Sequence, residues 1–291
     1  MSLTARRAKE KLSKKMLKFF RKKKAKNPGR VEPSLHPEPE AGSSPDREKI
    51  GWVSPEYRVS RRVALDPATL EENRCVSFFS GAPGLEFYRV LRSRILGPAT
   101  GRGNAIMITS ALPGEGKTLT AINLAFSIAR EFQQTVLLVD CDFRNQAVQE
   151  YLGLASDRGL IDYLVDNRPL SEIMIWPGVE KVTVISGGRT VQESSELLGS
   201  PRMKELVAGM KRRYPDRYIL FDLPPVLTGA DALVFSSQVD HIILVVEAGR
   251  TAREEIRRAL GLLPQEKILG LVLNRQEWRS NSKYESKYAG A

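Results

Sequence analysis

Residues 105–118 read Ala-Ile-Met-Ile-Thr-Ser-Ala-Leu-Pro-Gly-Glu-Gly-Lys-Thr, and the organisation of the whole chain can be worked out from this stretch. An apolar run, 105–109, leads into a glycine-bearing turn, and an amphipathic run from Leu119 to Phe132 follows. Strand, Gly-rich turn and helix start together are the context of a phosphate-binding loop. Gly114 and Gly116 lack a Cβ, so backbone N–H groups can curl around a polyphosphate. Lys117 can reach the β- and γ-phosphates, and the Thr118 hydroxyl can ligate Mg²⁺. The helix that starts there directs the positive end of its dipole at the same anion. Pro113, Gly114, Glu115, Gly116, Lys117, Thr118 and Leu119 are thus the candidate ATP-binding run.

The loop departs from the common pattern in two places. Ala111 stands where the first glycine usually sits, and Leu112, followed by Pro113, occupies the front of the loop. Partition and septum-site ATPases carry a second, signature lysine at that position.

Downstream of the loop, apolar runs predict strands at 105–109, 135–139, 182–186, 217–222, 241–247 and 268–273. Continuous runs such as Val136-Leu137-Leu138-Val139 mark strands buried on both faces of a parallel sheet. Helical patterns fit 117–131, 159–166, 201–213 and 252–263. Alternation of this kind predicts an α/β fold, a doubly wound and mostly parallel sheet, with ligands at the carboxyl ends of the strands. Upstream, a helix is expected over 85–96, with Phe87, Leu91 and Ile95 on one face.

Two strands end in acids. One reads Val-Leu-Leu-Val-Asp140-Cys141-Asp142-Phe143-Arg144, the other Tyr218-Ile219-Leu220-Phe221-Asp222-Leu223-Pro224-Pro225. A single Asp at such a place is as readily a helix cap. Three of them beside a phosphate loop point to magnesium, which takes one or two carboxylates plus substrate phosphates. Asp222 is the expected metal partner, through water. Asp140 and Asp142 can orient the metal shell and accept a proton from an attacking hydroxyl. Thr118, Asp140 and Asp222 are the candidate metal residues; Lys117, Asp140, Asp142 and Asp222 are the candidate catalytic ones.

The chain has 291 residues, 42% of them apolar, enough for a sizeable core. Its net charge of +11 is concentrated at the start. Residues 1–30 hold thirteen Lys or Arg and one acid, Glu10, and the rest of the chain is close to neutral. Residues 1–26 therefore form a basic arm suited to anionic partners. Leu12, Met16, Phe19 and Phe20 fit one helical face there, so the arm is either an interfacial helix on an anionic membrane or a solvated, disordered extension. Residues 27–80 are expected to be a Pro-rich linker, with six prolines before residue 60 and an ambiguous stretch after it. No run reaches the roughly 18 apolar residues of a membrane span, and residues 1–30 lack the apolar stretch expected of a secretory signal. Cys75 and Cys141 are the only cysteines and have no metal spacing. A cytoplasmic address is expected.

The order Ser-x-x-Pro-Gly-Glu-Gly-Lys-Thr, Leu-Leu-Val-Asp-x-Asp-x-Arg, Phe-Asp-x-Pro-Pro resembles the bacterial tyrosine kinases of exopolysaccharide and capsule synthesis. Glu86-x-x-Arg89-x-x-Arg92, shortly before the loop, matches that family's element for ring-like self-association, and Ser195-Glu196-Leu197-Leu198 also fits. Within the family, the run 110–140 is most similar to the autokinases of exosortase-linked polysaccharide loci. The resemblance implies a kinase domain over 81–276 with the partition-ATPase-like P-loop fold, using ATP and Mg²⁺, with Asp140 as base, Asp142 supporting the metal shell and Asp222 as the Walker B carboxylate. Asn274 matches the position where the fold reads adenine, although a strand-end turn residue looks the same in sequence. A tail, 277–291, carries Tyr284 and Tyr288 as the implied phosphoacceptors, modified in trans within a transient, ring-like homo-oligomer. The resemblance further implies a separate membrane-spanning polysaccharide co-polymerase adaptor and a peripheral place at the inner face of the cell membrane; nucleic acid is not an expected partner. The competing reading is an ATP-switched positioning ATPase without kinase activity, which the basic arm suits and Leu112 and the tail tyrosines oppose. A scaffold that binds ATP and transfers nothing fits poorly with intact Lys117, Asp140, Asp142 and Asp222.

Overall fold

A computed structural model describes residues 60–97, 103–213 and 216–276. The chain order is β1 (Arg61–Arg62), α1 (Pro67–Glu72), α2 (Leu85–Ile95), β2 (Ala105–Ser110), α3 (Lys117–Ala129), β3 (Thr135–Asp140) and α4 (Ala147–Tyr151). It continues through α5 (Leu160–Asp166), α6 (Leu170–Ile173), β4 (Met174–Trp176), β5 (Val182–Ile185), α7 (Ser194–Gly199) and α8 (Pro201–Arg213). The last elements are β6 (Arg217–Asp222), α9 (Asp231–Ser236), β7 (His241–Glu247), α10 (Arg253–Gly261) and β8 (Ile268–Asn274).

The strands form one sheet in the order β1-β4-β5-β3-β6-β2-β7-β8, parallel throughout except for the β4–β5 pair. Every residue of β2 and β3 is buried, as a central strand covered on both faces requires. Two hydrophobic clusters occupy the two faces. One is built on Met107, Leu137, Val139, Phe221 and Phe235; the other on Ile106, Ile108, Ile122, Leu138 and Leu220. Alternation along each strand sends neighbouring side chains to opposite clusters.

Two expectations need correction. Residues 60–80, expected to be linker, are folded onto the domain. Asp66 caps α1 by accepting from the Ala68 and Thr69 N–H groups, and Pro67 occupies the first helical turn, where its missing N–H costs nothing. Leu70, Cys75 and Phe78 then enter the core. Asn123 of α3 accepts from Ser77 N–H (2.8 Å) and donates to Arg74 O, while Arg130 donates to Ser77 O and Phe78 O. Three apolar anchors with satisfied backbone partners outweigh a composition that looked linker-like. The second correction concerns α2. Leu85 and Ile95 are buried and Leu91 is partly buried, yet Phe87 is 63% exposed. The inward side is set by Leu85, Tyr88, Arg92 and Ile95, and Phe87 stands about 100° around the helix from Tyr88.

The unpredicted β1 and β4 are short pieces at one edge of the sheet, below the length at which apolar patterning is readable. The basic arm 1–26, the prolines before residue 60 and the tail 277–291 lie outside the described residues.

Candidate active site

The sheet order brings the acidic strands to the phosphate loop. β6 lies between β2 and β3, with Asp222 opposite both Ile108 and Asp140 in register. The carboxyl ends of three adjacent strands therefore carry the loop, Asp222 and Asp140 side by side, where an open α/β sheet binds its ligand.

The loop itself is braced by its own residues. Gly114 (φ 81°) and Gly116 (φ 91°) take left-handed backbone that favours glycine, and a Cβ on Gly116 would collide with the Asn274 amide. Glu115 is buried and points into the protein. Its carboxylate accepts from Leu112 N–H (2.7 Å) and from the Thr251 hydroxyl, tying the front of the loop to the turn after β7. Asn274 Nδ2 donates to Glu115 O at 2.8 Å, so the residue expected at an adenine-reading position also holds the loop backbone. Pro113 and Gly114 stay exposed at the rim, and Leu119 packs on the core from the first turn of α3.

Lys117 is 8% exposed and turned onto the carboxylates. Its Nζ lies 2.9 Å from Asp142 Oδ2 and 3.2 Å from both Asp222 oxygens. The Thr118 hydroxyl donates to Asp222 Oδ2 at 2.6 Å. Asp140 is fully buried and accepts from the backbone N–H of Asp142 and of Val148, both at 3.1 Å. All four expected catalytic residues are thus gathered at one place, but Asp140 spends one lone pair of each oxygen on the backbone. Burial, then the nearby Asp222 charge, pushes the Asp140 carboxyl well above the ordinary range despite Lys117. Burial raises Asp222 as well, against the opposing pull of Lys117. For Lys117 burial works towards neutrality, yet the charges of Asp222 and Asp142 outweigh it and the ammonium is held above its usual value.

The donor set fits magnesium. Three buried carboxylates face one buried ammonium, an excess of negative charge that a divalent cation offsets. Among the described residues no three His, Cys, Asp or Glu form a ready-made cage. Thr118 and Asp222 are the residues that would hold such a cation, with substrate phosphates and water completing its shell.

Glu86, Arg89 and Arg92 stand apart from the loop and from one another in role. Arg89 pairs with Glu86 at 3.2 Å on the exposed side of α2. Arg92 turns inward, donating to Ser127 O (2.9 Å) and pairing with Glu131 (2.7 Å) at the end of α3. Two further groups were given no role in the sequence reading. Thr251 closes the Glu115 brace, and no local pattern marks it; Arg144 stands in the Asp-x-Asp-x-Arg run, but its clamp by Ser194 and Asp231 depends on partners far along the chain.

Sheet, loop and acidic cluster define a P-loop nucleotide-binding domain. A family model described as an AAA domain matches residues 103–264. The tyrosine-protein kinase YwqD of Bacillus subtilis is 33% identical over 202 residues, covering 68% of this chain and 84% of that protein. The tyrosine-protein kinase CpsD of Streptococcus agalactiae is 31% identical over 194 residues, 65% of this chain and 82% of that protein. Among solved structures, the kinase domain of the Escherichia coli tyrosine kinase ETK superposes with a TM-score of 0.64 at 25% identity, covering 83% of this chain and 96% of that one. The VpsO kinase domain gives 0.60 at 30% identity, covering 66% and 96%. The chain belongs to the bacterial tyrosine-protein kinases, and it is an ATP-dependent enzyme of that family. Their common architecture with positioning ATPases also appears: the cell-division ATPase MinD of Pyrococcus furiosus superposes with a TM-score of 0.51 at 25% identity, covering 61% of this chain and 74% of that one.

Proposed function

We propose that the chain is a protein-tyrosine autokinase that phosphorylates Tyr284 and Tyr288 of a neighbouring copy and so regulates exopolysaccharide or capsule synthesis. The observation that carries this reading is the Lys117–Asp142–Asp222–Thr118 cluster beside Asp140, in a chain of the tyrosine-kinase family. Phosphoryl transfer needs positioning and charge neutralisation more than covalent chemistry, and these residues supply both. When ATP arrives, Lys117 exchanges its carboxylate partners for the β- and γ-phosphates. Thr118 and Asp222 would hold Mg²⁺, which would supply neutralisation of the charge on the phosphates. Asp140 takes the tyrosine proton, while Asp142 would orient the metal shell. Asn274 faces the base.

The acceptors fit by reach. Fourteen residues separate Asn274 from Tyr288, about 50 Å at full extension, enough to enter a neighbour's site. Glu86, Arg89 and Arg92 are assigned to a transient ring of copies. A membrane-spanning adaptor is the proposed activator, with the basic arm resting on anionic lipid at the inner face of the membrane. Among the described residues no helix is long and apolar enough to cross a bilayer.

The alternative, a positioning ATPase, finds support in the shared architecture and is opposed by Leu112 in place of the signature lysine. Incubation with ATP and Mg²⁺, followed by mass spectrometry, separates the two. Phosphate is expected on Tyr284 or Tyr288, and Tyr284→Phe with Tyr288→Phe should remove nearly all phosphotyrosine while ATP still binds. Phosphotyrosine undiminished in that double variant excludes the tail as acceptor. ATP hydrolysis with no phosphotyrosine in the parent favours the positioning reading.

A further inference from the structure

Beyond the loop and its acids, the described residues hold one more built polar device beside the site. Arg144 follows Asp142 by two residues in the turn after β3. Its Nε donates to the Ser194 hydroxyl at 2.9 Å and lies 3.5 Å from Asp231 Oδ2. Ser194 and Asp231 are themselves buried, and the Ser194 hydroxyl lies within 3.0 Å of both Asp231 oxygens. A buried carboxylate and hydroxyl thus fix one edge of a guanidinium that is otherwise half exposed. Its two terminal nitrogens make no hydrogen bond among the described residues. They form the planar fork that takes a carboxylate in bidentate fashion.

Arg144 opens onto a cavity of about 790 Å³, whose other walls are Thr190, Val191, Gln192 and Glu193. Glu193 makes no ion pair among the described residues. The wall therefore carries the open outer edge of a guanidinium, whose inner edge faces Asp231, and one unpaired anion, with Arg144 two residues along the chain from the acid that pairs with Lys117. Anything seated there should present a cation and an anion close together.

The tail of the chain has such a segment. Lys283-Tyr284-Glu285 places a cation before the tyrosine and an anion after it. Lys287-Tyr288-Ala289 offers only the cation. We propose that the cavity bordered by Arg144 and Glu193 is the docking site for the acceptor segment of a second copy, with Arg144 taking Glu285 and Glu193 taking Lys283, so that Tyr284 is chosen over Tyr288. The inference rests on the autokinase reading for its consequence, though the docking itself needs no phosphoryl transfer. Arg144 acts here as a specificity-determining residue. It selects the acceptor and does not touch the transferred group.

The test uses the full chain with ATP and Mg²⁺ and reads the ratio of phosphate on Tyr284 to that on Tyr288 by mass spectrometry. One exposed but well-aligned ion pair corresponds to a preference of about fivefold. The parent should show that excess on Tyr284. Glu285→Lys should bring the ratio to about one, and Ala289→Glu, which gives Tyr288 a matching anion, should do the same from the other side. Arg144→Lys keeps the charge but loses the fork, and should reduce the preference without abolishing tail phosphate. Fluorescence anisotropy of a labelled peptide of sequence 280–291 on the full chain gives a readout independent of catalysis. Its binding should weaken about fivefold with Glu285→Lys in the peptide or Arg144→Lys in the protein.

The outcomes separate the two ideas. Phosphate on both tyrosines at a ratio that Glu285→Lys leaves unchanged overturns the docking site and leaves the autokinase standing. Peptide binding that depends on Arg144 and Glu285, in a chain that makes no phosphotyrosine, upholds the docking site and overturns the autokinase. Neither binding nor phosphotyrosine overturns both.

Discussion

Lys117 answers to two sets of partners. It neutralises Asp142 and Asp222 in the structure, and in the proposed reaction the β- and γ-phosphates take that place. Lys117→Met should therefore abolish ATP binding and lower phosphotyrosine by at least about a hundredfold, because the transferring group loses its main side-chain cation. Phosphotyrosine at the parent level in that variant would remove Lys117 from the site. Asp140→Asn should keep nucleotide binding and cut phosphoryl transfer by about a hundredfold or more. The same variant has a thermal signature. A carboxyl whose folded pKa is raised above its unfolded value stabilises the fold at low pH, and that contribution fades as pH rises towards and through the folded pKa. Burial raises Asp140 in this sense. Thermal unfolding without nucleotide should then show a cost of Asp140→Asn that is larger at pH 5 than at pH 8. A cost independent of pH between those values would mean that Asp140 is not held protonated by its surroundings.

At the scale of elements, α2 shows how one spacing serves two ends. Glu86, Arg89 and Arg92 share a sequence pattern, yet only Glu86 and Arg89 face solvent. Arg92 spans from α2 to the end of α3, satisfying Ser127 O and pairing with Glu131 where the helix runs out of internal donors for its carbonyls. Arg92→Ala should destabilise the chain by about 1–3 kcal/mol, since it leaves the Glu131 carboxylate without its cation and Ser127 O with only the Arg130 N–H. Arg89→Ala should change stability by less than about 0.5 kcal/mol. Chemical denaturation of the two variants checks this, and equal costs would contradict the separate roles. If copies assemble through this helix, Arg89→Ala reports on assembly in light scattering with the fold intact. Loss of assembly in Arg92→Ala alone would instead trace to the α2–α3 joint.

For the whole molecule, charge is divided between a basic start and a nearly neutral remainder. Deleting residues 1–26 removes twelve cationic side chains, each contributing on the order of 1 kcal/mol near an anionic surface. Binding to anionic vesicles should fall steeply in the deleted chain, while ATP affinity stays as it was. Binding by the parent should also weaken as salt is raised, because such attraction is screened over roughly 8 Å at physiological ionic strength. Equal vesicle binding by both chains would show that the arm takes no part.

The phosphate loop, the three acids and the strands that carry them were legible in the sequence by itself. Their chemistry and periodicity are local: glycines beside a lysine, and apolar runs that end in aspartate. The six strands anticipated from those runs all form, with ends within a residue or two. What only the tertiary structure decided is who stands next to whom. Chain order puts β3 directly after β2, but β6 inserts between them, and that insertion sets Asp222 against Asp140 and both against Lys117. The Glu115–Thr251 brace, the hold of Asn274 on the loop and the Arg144–Ser194–Asp231 clamp likewise join residues far apart in sequence. The folding of residues 60–80 belongs with them, since it depends on surfaces of α3 that Leu70, Cys75 and Phe78 cover. Local pattern sets which elements form, because hydrogen bonding and burial of one face are settled within a few residues. Strand order and side-chain partnership are set by packing those elements around two shared cores, and no short stretch of sequence carries that information.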